Sequence, residues 1–248
     1  MSSRQNPLLG FACLPLLSLL AASLSAAGTA PLRPDFTGVW EPIDPPLALR
    51  TRQGNEPPLL PAPKQLYEQR IALLNRGEVA FDATRTKCAA PGEPRILTER
   101  MPFDIFQTMH TLLIGFQWNR LVRQIDLDTP LEVISPYSFG TSVGHIAGGV
   151  LSVDTQGLSE ETFLDRSGLP HSSELRLSER FRLLAGGQRL QIRIRFEDPL
   201  TFSAPWETVL EFRRLPGVRI AEDICTLRRH LVPEGLQFFD PVSGAAPR

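Results

Sequence analysis

Between Glu174 and Asp198 the apolar and polar positions alternate with period two, in two runs separated by Ala185-Gly186-Gly187. Leu175, Leu177, Phe181 and Leu183 share one parity, and Arg176, Ser178, Arg180 and Arg182 take the other. In the second run Leu190, Ile192, Ile194 and Phe196 alternate with Gln191, Arg193, Arg195 and Glu197. Successive side chains of a strand point to opposite faces, so these runs predict two strands of a hairpin, each with one buried face. Glu179 falls on the apolar parity of the first run and Asp198 on that of the second. A carboxylate on a buried face is costly unless it is paired or protonated, so an ion pair or a reactive site is expected there.

The same period predicts further strands at 103–109, 111–118, 120–127, 131–135, 143–147, 149–154 and 206–214, with 174–184 and 188–198 already described. Asn119, Asp128-Thr129-Pro130 and Gly148-Gly149 punctuate them, and residues 156–173 form a longer insertion. Upstream, residues 35–41 read as a short first strand. Pro45, Pro46, Pro57, Pro58, Pro61 and Pro63 then mark an irregular arm lying over another surface. Leu66, Tyr67, Ile71 and Leu74 recur at helical spacing, which predicts one amphipathic helix over 64–76 ending near Gly77. Many strands at short spacing predict a mainly β fold, an antiparallel β-barrel with one short N-terminal helix, because closure removes exposed edges; a β-sandwich is the alternative. Residues 28–100 and 101–248 are expected to form one domain, the first part packing on the barrel body.

The N-terminus carries a different pattern: Arg4, an apolar run from Leu8 to Leu24 interrupted by Pro15, and the small residues Ser25 to Ala30. This is the order of a secretory signal peptide over 1–27, cleaved near Ala27 or Ala30, and it predicts a periplasmic or secreted protein. Cys13 lies inside the apolar run, against a lipoprotein anchor, and no later segment is apolar enough to span a bilayer as a helix. Removing residues 1–27 takes away Arg4 alone among charged residues, so 26 basic and 27 acidic residues become 25 and 27. The basic residues are arginines except for Lys64 and Lys87, and they fall on outward strand parity; a solvated surface and no nucleic-acid partner are expected. Cys88 and Cys225 remain, and in an oxidising compartment they are expected to form a disulfide.

Candidate chemistry gathers on the inward parity. In 120–128, Leu121, Arg123, Ile125 and Leu127 share a face, so Arg123 is a natural bidentate partner for Glu179, in a salt bridge that fixes register or in a ligand site. The insertion brings Asp165 and His171 onto a turn-rich loop leading into the Glu179 strand. There His171 could act as general base with Asp165 orienting it, or both could serve turns and backbone groups. His145 lies on a weakly patterned strand and could join the same pocket. Trp118, Phe196 and Trp206 either fill the core or line a cavity, with Asp198 nearby. The four histidines show no metal-binding spacing, and no phosphate loop, dinucleotide fingerprint or nucleophilic-serine elbow is present, so no metal and no cofactor are expected.

Several segments in order carry a resemblance: DFTGVWEP, CAAPGEPR, RQIDLD, TSVGHIAGGVLSVDTQG, GLPHSSELRLSERF, FEDPLTFSAPW and EDIC. Together they resemble a widespread group of exported bacterial proteins across most of the mature chain. The resemblance implies an exported β-rich domain, lipocalin-like given the Gly-x-Trp of the first strand, and implies no particular reaction. The chain departs from the pattern where Ile146 to Leu151 replace a Trp-Glu-Gly-Asp-Thr-Leu segment, and where no His-Glu follows Cys225. Three functions remain in competition: a barrel binding a small hydrophobic molecule, a cofactor-independent isomerase, lyase or hydratase using Glu179, Asp165 or His171, and an accessory protein docking a partner through its proline-rich arm. Glu179→Gln separates the first two, since a binder keeps its ligand and an enzyme loses turnover.

Overall fold

The computed structural model describes Met1, residues 33–133 and residues 135–226. The leader expected over 1–27 lies outside the described residues, apart from Met1, as does the chain after residue 226. Nine strands close into a barrel: β1 (Gly38–Pro42), β2 (Phe103–Gln107), β3 (Thr111–Phe116), β4 (Val122–Leu127), β5 (Thr141–Ala147), β6 (Val150–Gln156), β7 (Arg176–Leu184), β8 (Arg189–Glu197) and β9 (Trp206–Arg214). Each strand pairs with its sequence neighbours, and β1 pairs with β9 to complete the ring. The fold is mainly β and fits a lipocalin-like barrel, as the strand periodicity predicts. The registers bear out the hairpin: Phe181 faces Ile192 and Glu179 faces Ile194 across β7 and β8.

One pair departs from the antiparallel expectation. β4 and β5 run parallel, matched over Ile125↔Ser142, Asp126↔Val143 and Leu127↔Gly144. The reason is the segment expected as a strand over 131–135: its described residues make no strand, and Val133 is 44% exposed. Pro130 and Pro136 flank this short stretch, and neither can donate to a ladder, so the chain crosses back as an irregular connection and re-enters in the same direction.

Two helices precede the barrel body where one was expected. α1 (Pro61–Asn75) starts three residues before the expected helix over 64–76, because Pro61 opens its first turn, where a missing N–H costs nothing. None of its residues is fully buried, and Leu66 stays 41% exposed. Tyr67 and Arg70 hold it instead: Tyr67 Oη lies 2.6 Å from Ser167 Oγ, and Arg70 Nη1 donates to the Gly168 carbonyl at 2.7 Å, with its guanidinium 4.3 Å over the Phe163 ring. The short α2 (Ala83–Lys87) is capped by Asp82, whose carboxylate accepts from the Thr84 N–H at 3.0 Å.

The barrel interior is filled. Trp40, Phe103, Ile105, Ile114, Phe116, Ile125, Leu151, Val153, Phe181, Ile192, Ile194, Phe196 and Phe212 are all at most 2% exposed and belong to one apolar cluster. Each such side chain contributes roughly 1.5–3 kcal/mol relative to remaining in water. Phe196 and Trp206 stack at 4.0 Å between centroids, and Phe103 meets Phe212 edge-on at 5.0 Å.

Two stretches outside the strands are as buried as the strands themselves, residues 91–99 and 162–171. They gather at the barrel end where β2, β4, β5, β7 and β9 begin, and act as a plug. Gly92 sits where they meet: its φ is +82°, and a Cβ there would lie 2.5 Å from Thr162 Cβ. Arg95 anchors the first stretch with a bidentate pair to Asp82, at 3.0 and 2.8 Å, and both side chains are buried. The proline-rich arm runs outside this end, with the Ile43 N–H donating to the Glu211 carbonyl, the Arg52 N–H to that of Glu207 and the Leu60 N–H to that of Thr201.

Cys88 and Cys225 are bonded to each other across a sequence separation of 137 residues. Around the bridge, the Cys225 N–H donates to Asn119 Oδ1 at 3.2 Å and the Asn119 N–H to Asp223 Oδ2 at 2.8 Å. No helix among the described residues is long and apolar enough to cross a membrane.

Candidate functional site

Arg123 points inward from β4, as its parity requires, and is 1% exposed. Its Nη1 donates to Glu179 Oε1 at 3.1 Å while Nη2 bonds Glu179 Oε2, so guanidinium and carboxyl group meet side by side. Nη2 also donates to Thr155 Oγ1 at 2.9 Å and to Ser142 Oγ at 3.1 Å, and those hydroxyls lie 2.9 Å apart. Ser142 is on β5, Thr155 on β6 and Glu179 on β7, each on inward parity, so one guanidinium links four consecutive strands. The cross-strand neighbours of Arg123 and Glu179 are apolar: Ile114, Val153 and Ile194.

A third charged group completes the cluster, and sequence reasoning missed it. Glu93, from the first plug stretch, is fully buried, with Oε1 3.1 Å from Arg123 Nη1. That distance is an ion-pair distance, yet neither Glu93 oxygen has a hydrogen-bond partner among the described residues, because the Arg123 N–H groups are directed at Glu179, Thr155 and Ser142. Burial pushes the Glu93 carboxyl up from 4.5 to about 8; Arg123 draws it back only in part, and Glu179 adds to the rise. For Arg123, burial works toward release of its proton, but Glu179 and Glu93 outweigh it and raise its pKa above the ordinary arginine value. Burial thus favours the neutral form of the Glu93 carboxyl group, which can donate as well as accept.

This predicts a pH dependence of stability. The carboxyl group binds its proton more tightly folded than unfolded, so Glu93 stabilises the fold fully below about pH 4.5 and loses that contribution as pH rises to about 8. Glu93→Gln should flatten the pH dependence of the unfolding free energy over that window and raise that free energy at pH 8 by an amount on the order of a few kcal/mol. A wild-type midpoint independent of pH from 5 to 8 would refute the assignment.

The other candidate residues lie in separate places. Asp165 is fully buried on the second plug stretch and does not orient His171. Its Oδ2 accepts from the Leu49 N–H at 2.9 Å, and its Oδ1 accepts from Ser167 N–H, Ser167 Oγ and the Leu169 N–H at 2.9, 2.7 and 3.0 Å. Burial raises its pKa against those bonds, which hold the arm to the loop. His171 donates through Nδ1 to the Ser172 carbonyl at 3.0 Å and meets Thr162 Oγ1 through Nε2 at 3.0 Å. Its pKa is lowered, chiefly by burial, which favours the neutral ring, and Thr162 Oγ1 also donates to the Ser159 carbonyl at 2.8 Å. No hydrogen bond of either residue reaches Glu179 among the described residues, so the structure does not assemble Glu179, His171 and Asp165 into one group.

Asp198 accepts from the Ser172 N–H and hydroxyl, both at 2.7 Å, and from the Leu200 N–H at 3.1 Å, pinning the end of the second plug stretch to the β8–β9 turn. His145 faces outward, its ring exposed and its Nδ1 2.6 Å from Asp128 Oδ1, away from the interior cluster. Trp118 is buried on the turn after β3, two residues past the end of that strand, which stops at Phe116 and not at 118 as expected. Trp206 is buried against Phe196 and Phe202, and its Nε1 has no hydrogen-bond partner among the described residues. Beside it a surface cleft of about 350 Å³ is lined by Arg176, Asp198, Phe202 and Pro205, among others.

No protein-family model matches the chain, and no curated protein does. Fold and site alone therefore define it: a closed, plugged, disulfide-linked barrel with a guanidinium and a carboxyl group buried in its wall and a second carboxyl group meeting them from the plug.

Proposed function

We propose that the chain is an exported barrel that holds a small, mostly apolar molecule, whose polar end is received by Glu93 beside Arg123 and Glu179. The observation that carries this reading is the pair of buried Glu93 oxygens without a hydrogen-bond partner among the described residues, in apolar surroundings. Native buried polar groups are nearly always satisfied, and a hydroxyl or amide on an otherwise apolar molecule would complete the set. The filled interior means that such a molecule enters as residues 91–99 yield. The disulfide supports an oxidising compartment, in keeping with a periplasmic or secreted protein.

The test is native mass spectrometry of the mature protein isolated gently from the cell envelope, compared with its mass after denaturation. A discrete added mass, lost in Glu93→Leu, which can neither donate nor accept, is the expected result. An unadorned mass, together with no uptake of an apolar fluorescent probe such as 1-anilinonaphthalene-8-sulfonate, would overturn it. A second reading rests on the same neutral acid: a carboxyl group held protonated near pH 7 suits proton donation in an isomerase, lyase or hydratase. Under that reading Glu93→Gln retains the ligand and loses turnover.

A further inference from the structure

The outer face of β7 and β8 carries arginines without an acidic partner among the described residues. Register places Arg180 directly across from Arg193, and Arg182 is the next outward residue along β7. On the flanking strands Ser152 lies opposite Arg180 and Val209 opposite Arg193, so one row across four strands reads Ser152, Arg180, Arg193, Val209. Among the described residues none of these three arginines makes an ion pair or a side-chain hydrogen bond. The acids of the same face are engaged elsewhere: Asp154 by Ser178 at 2.8 Å, Glu197 by Arg195 at 2.6 Å, Glu211 by Gln191 at 3.0 Å and Glu207 by Arg52 at 3.4 Å. Like charges directly opposite one another destabilise a sheet, so the fold gives no reason for this arrangement. It stands on a chain whose formal net charge is −1, so the patch is local.

We propose that this stripe binds an anionic polysaccharide, a linear chain carrying carboxylate or sulfate groups. Opposed side chains on neighbouring strands stand about 5 Å apart and alternate residues along a strand about 7 Å apart. The stripe is therefore one strand pair wide and runs along β7 from Arg180 to Arg182, with Arg193 beside it on β8. That shape fits a chain better than a flat surface, because the barrel wall is convex. Arginine presents a planar fork that grips carboxylate and sulfate oxygens two at a time, and Ser152 and Gln191 beside it suit sugar hydroxyls. The aromatic residues of these strands, Phe181 and Phe196, are fully buried in the core. The stripe thus offers no ring to stack a nucleic-acid base and no aromatic anchor for a lipid interface.

The experiment compares wild type, R180Q/R193Q and a control of equal charge loss, R50Q/R76Q, for binding to immobilised heparin and to polygalacturonate. Wild type and control should bind alike and be released by salt, while R180Q/R193Q weakens by about tenfold or more. Its thermal midpoint should be unchanged or higher, since a repulsive pair is removed. Equal binding by both double variants, or no binding by wild type, would overturn the proposal. So would an arginine-dependent preference for phosphatidylglycerol vesicles or single-stranded DNA over both glycans.

Discussion

Arg123→Met is expected to destabilise the protein by about 3–5 kcal/mol, the range seen when one partner of a buried ion pair is removed. The loss is large because the variant leaves Glu179 and Glu93 facing each other in an apolar wall with no cation between them. It also strips Ser142 and Thr155 of the donor that joins them to β4. Replacing the set together, with R123M/E93L/E179L, should recover much of the loss, since well-packed apolar residues often match or exceed a buried ion pair. Urea titration of the three proteins checks both statements. A single-variant loss below about 1 kcal/mol would mean that water reaches the cluster and screens it.

Removing the disulfide has an effect of similar size through the unfolded chain. A bridge spanning 137 residues restricts the unfolded ensemble by about 5 kcal/mol on a loop-entropy basis. C88S/C225S should lose about 3–5 kcal/mol in the same titration. The bridge also ties the segment preceding the plug to the chain after β9, so limited proteolysis of the variant should open near residues 85–102 before the strands. Cleavage spread evenly over the barrel would count against a separable plug.

The strand network was legible because a half-buried strand writes its face into alternate residues. The inward parity of Arg123 and Glu179, and the bidentate pair that follows from it, came from that rule alone. Glu93 could not be found the same way. It lies on a stretch without regular structure, where no period relates a residue to a face, and only its approach to Arg123 in space reveals its role. The Asp165 and His171 pairing failed for a related reason: on a turn-rich loop the backbone offers nearer partners than any distant side chain, and Asp165 accepted them. His145 sat on a strand whose glycine and alanine neighbours carry too little hydrophobic contrast to tell inside from outside. The 131–135 stretch misled by composition, since it is rich in strand-forming apolar residues but its alternation breaks at Ile134-Ser135 and prolines stand at both its ends.

The parallel match between β4 and β5 follows from arithmetic. Directions alternate around a ring only when the number of staves is even, so a ring of nine must contain a seam where two neighbours run the same way. Here the seam is held by three matched positions, as many as β1 makes with β2 or with β9. Arg123 stands on one lip of it and Ser142 on the other, with the guanidinium bonded across the gap. The charged cluster is thus a clasp set across the one parallel seam of this barrel.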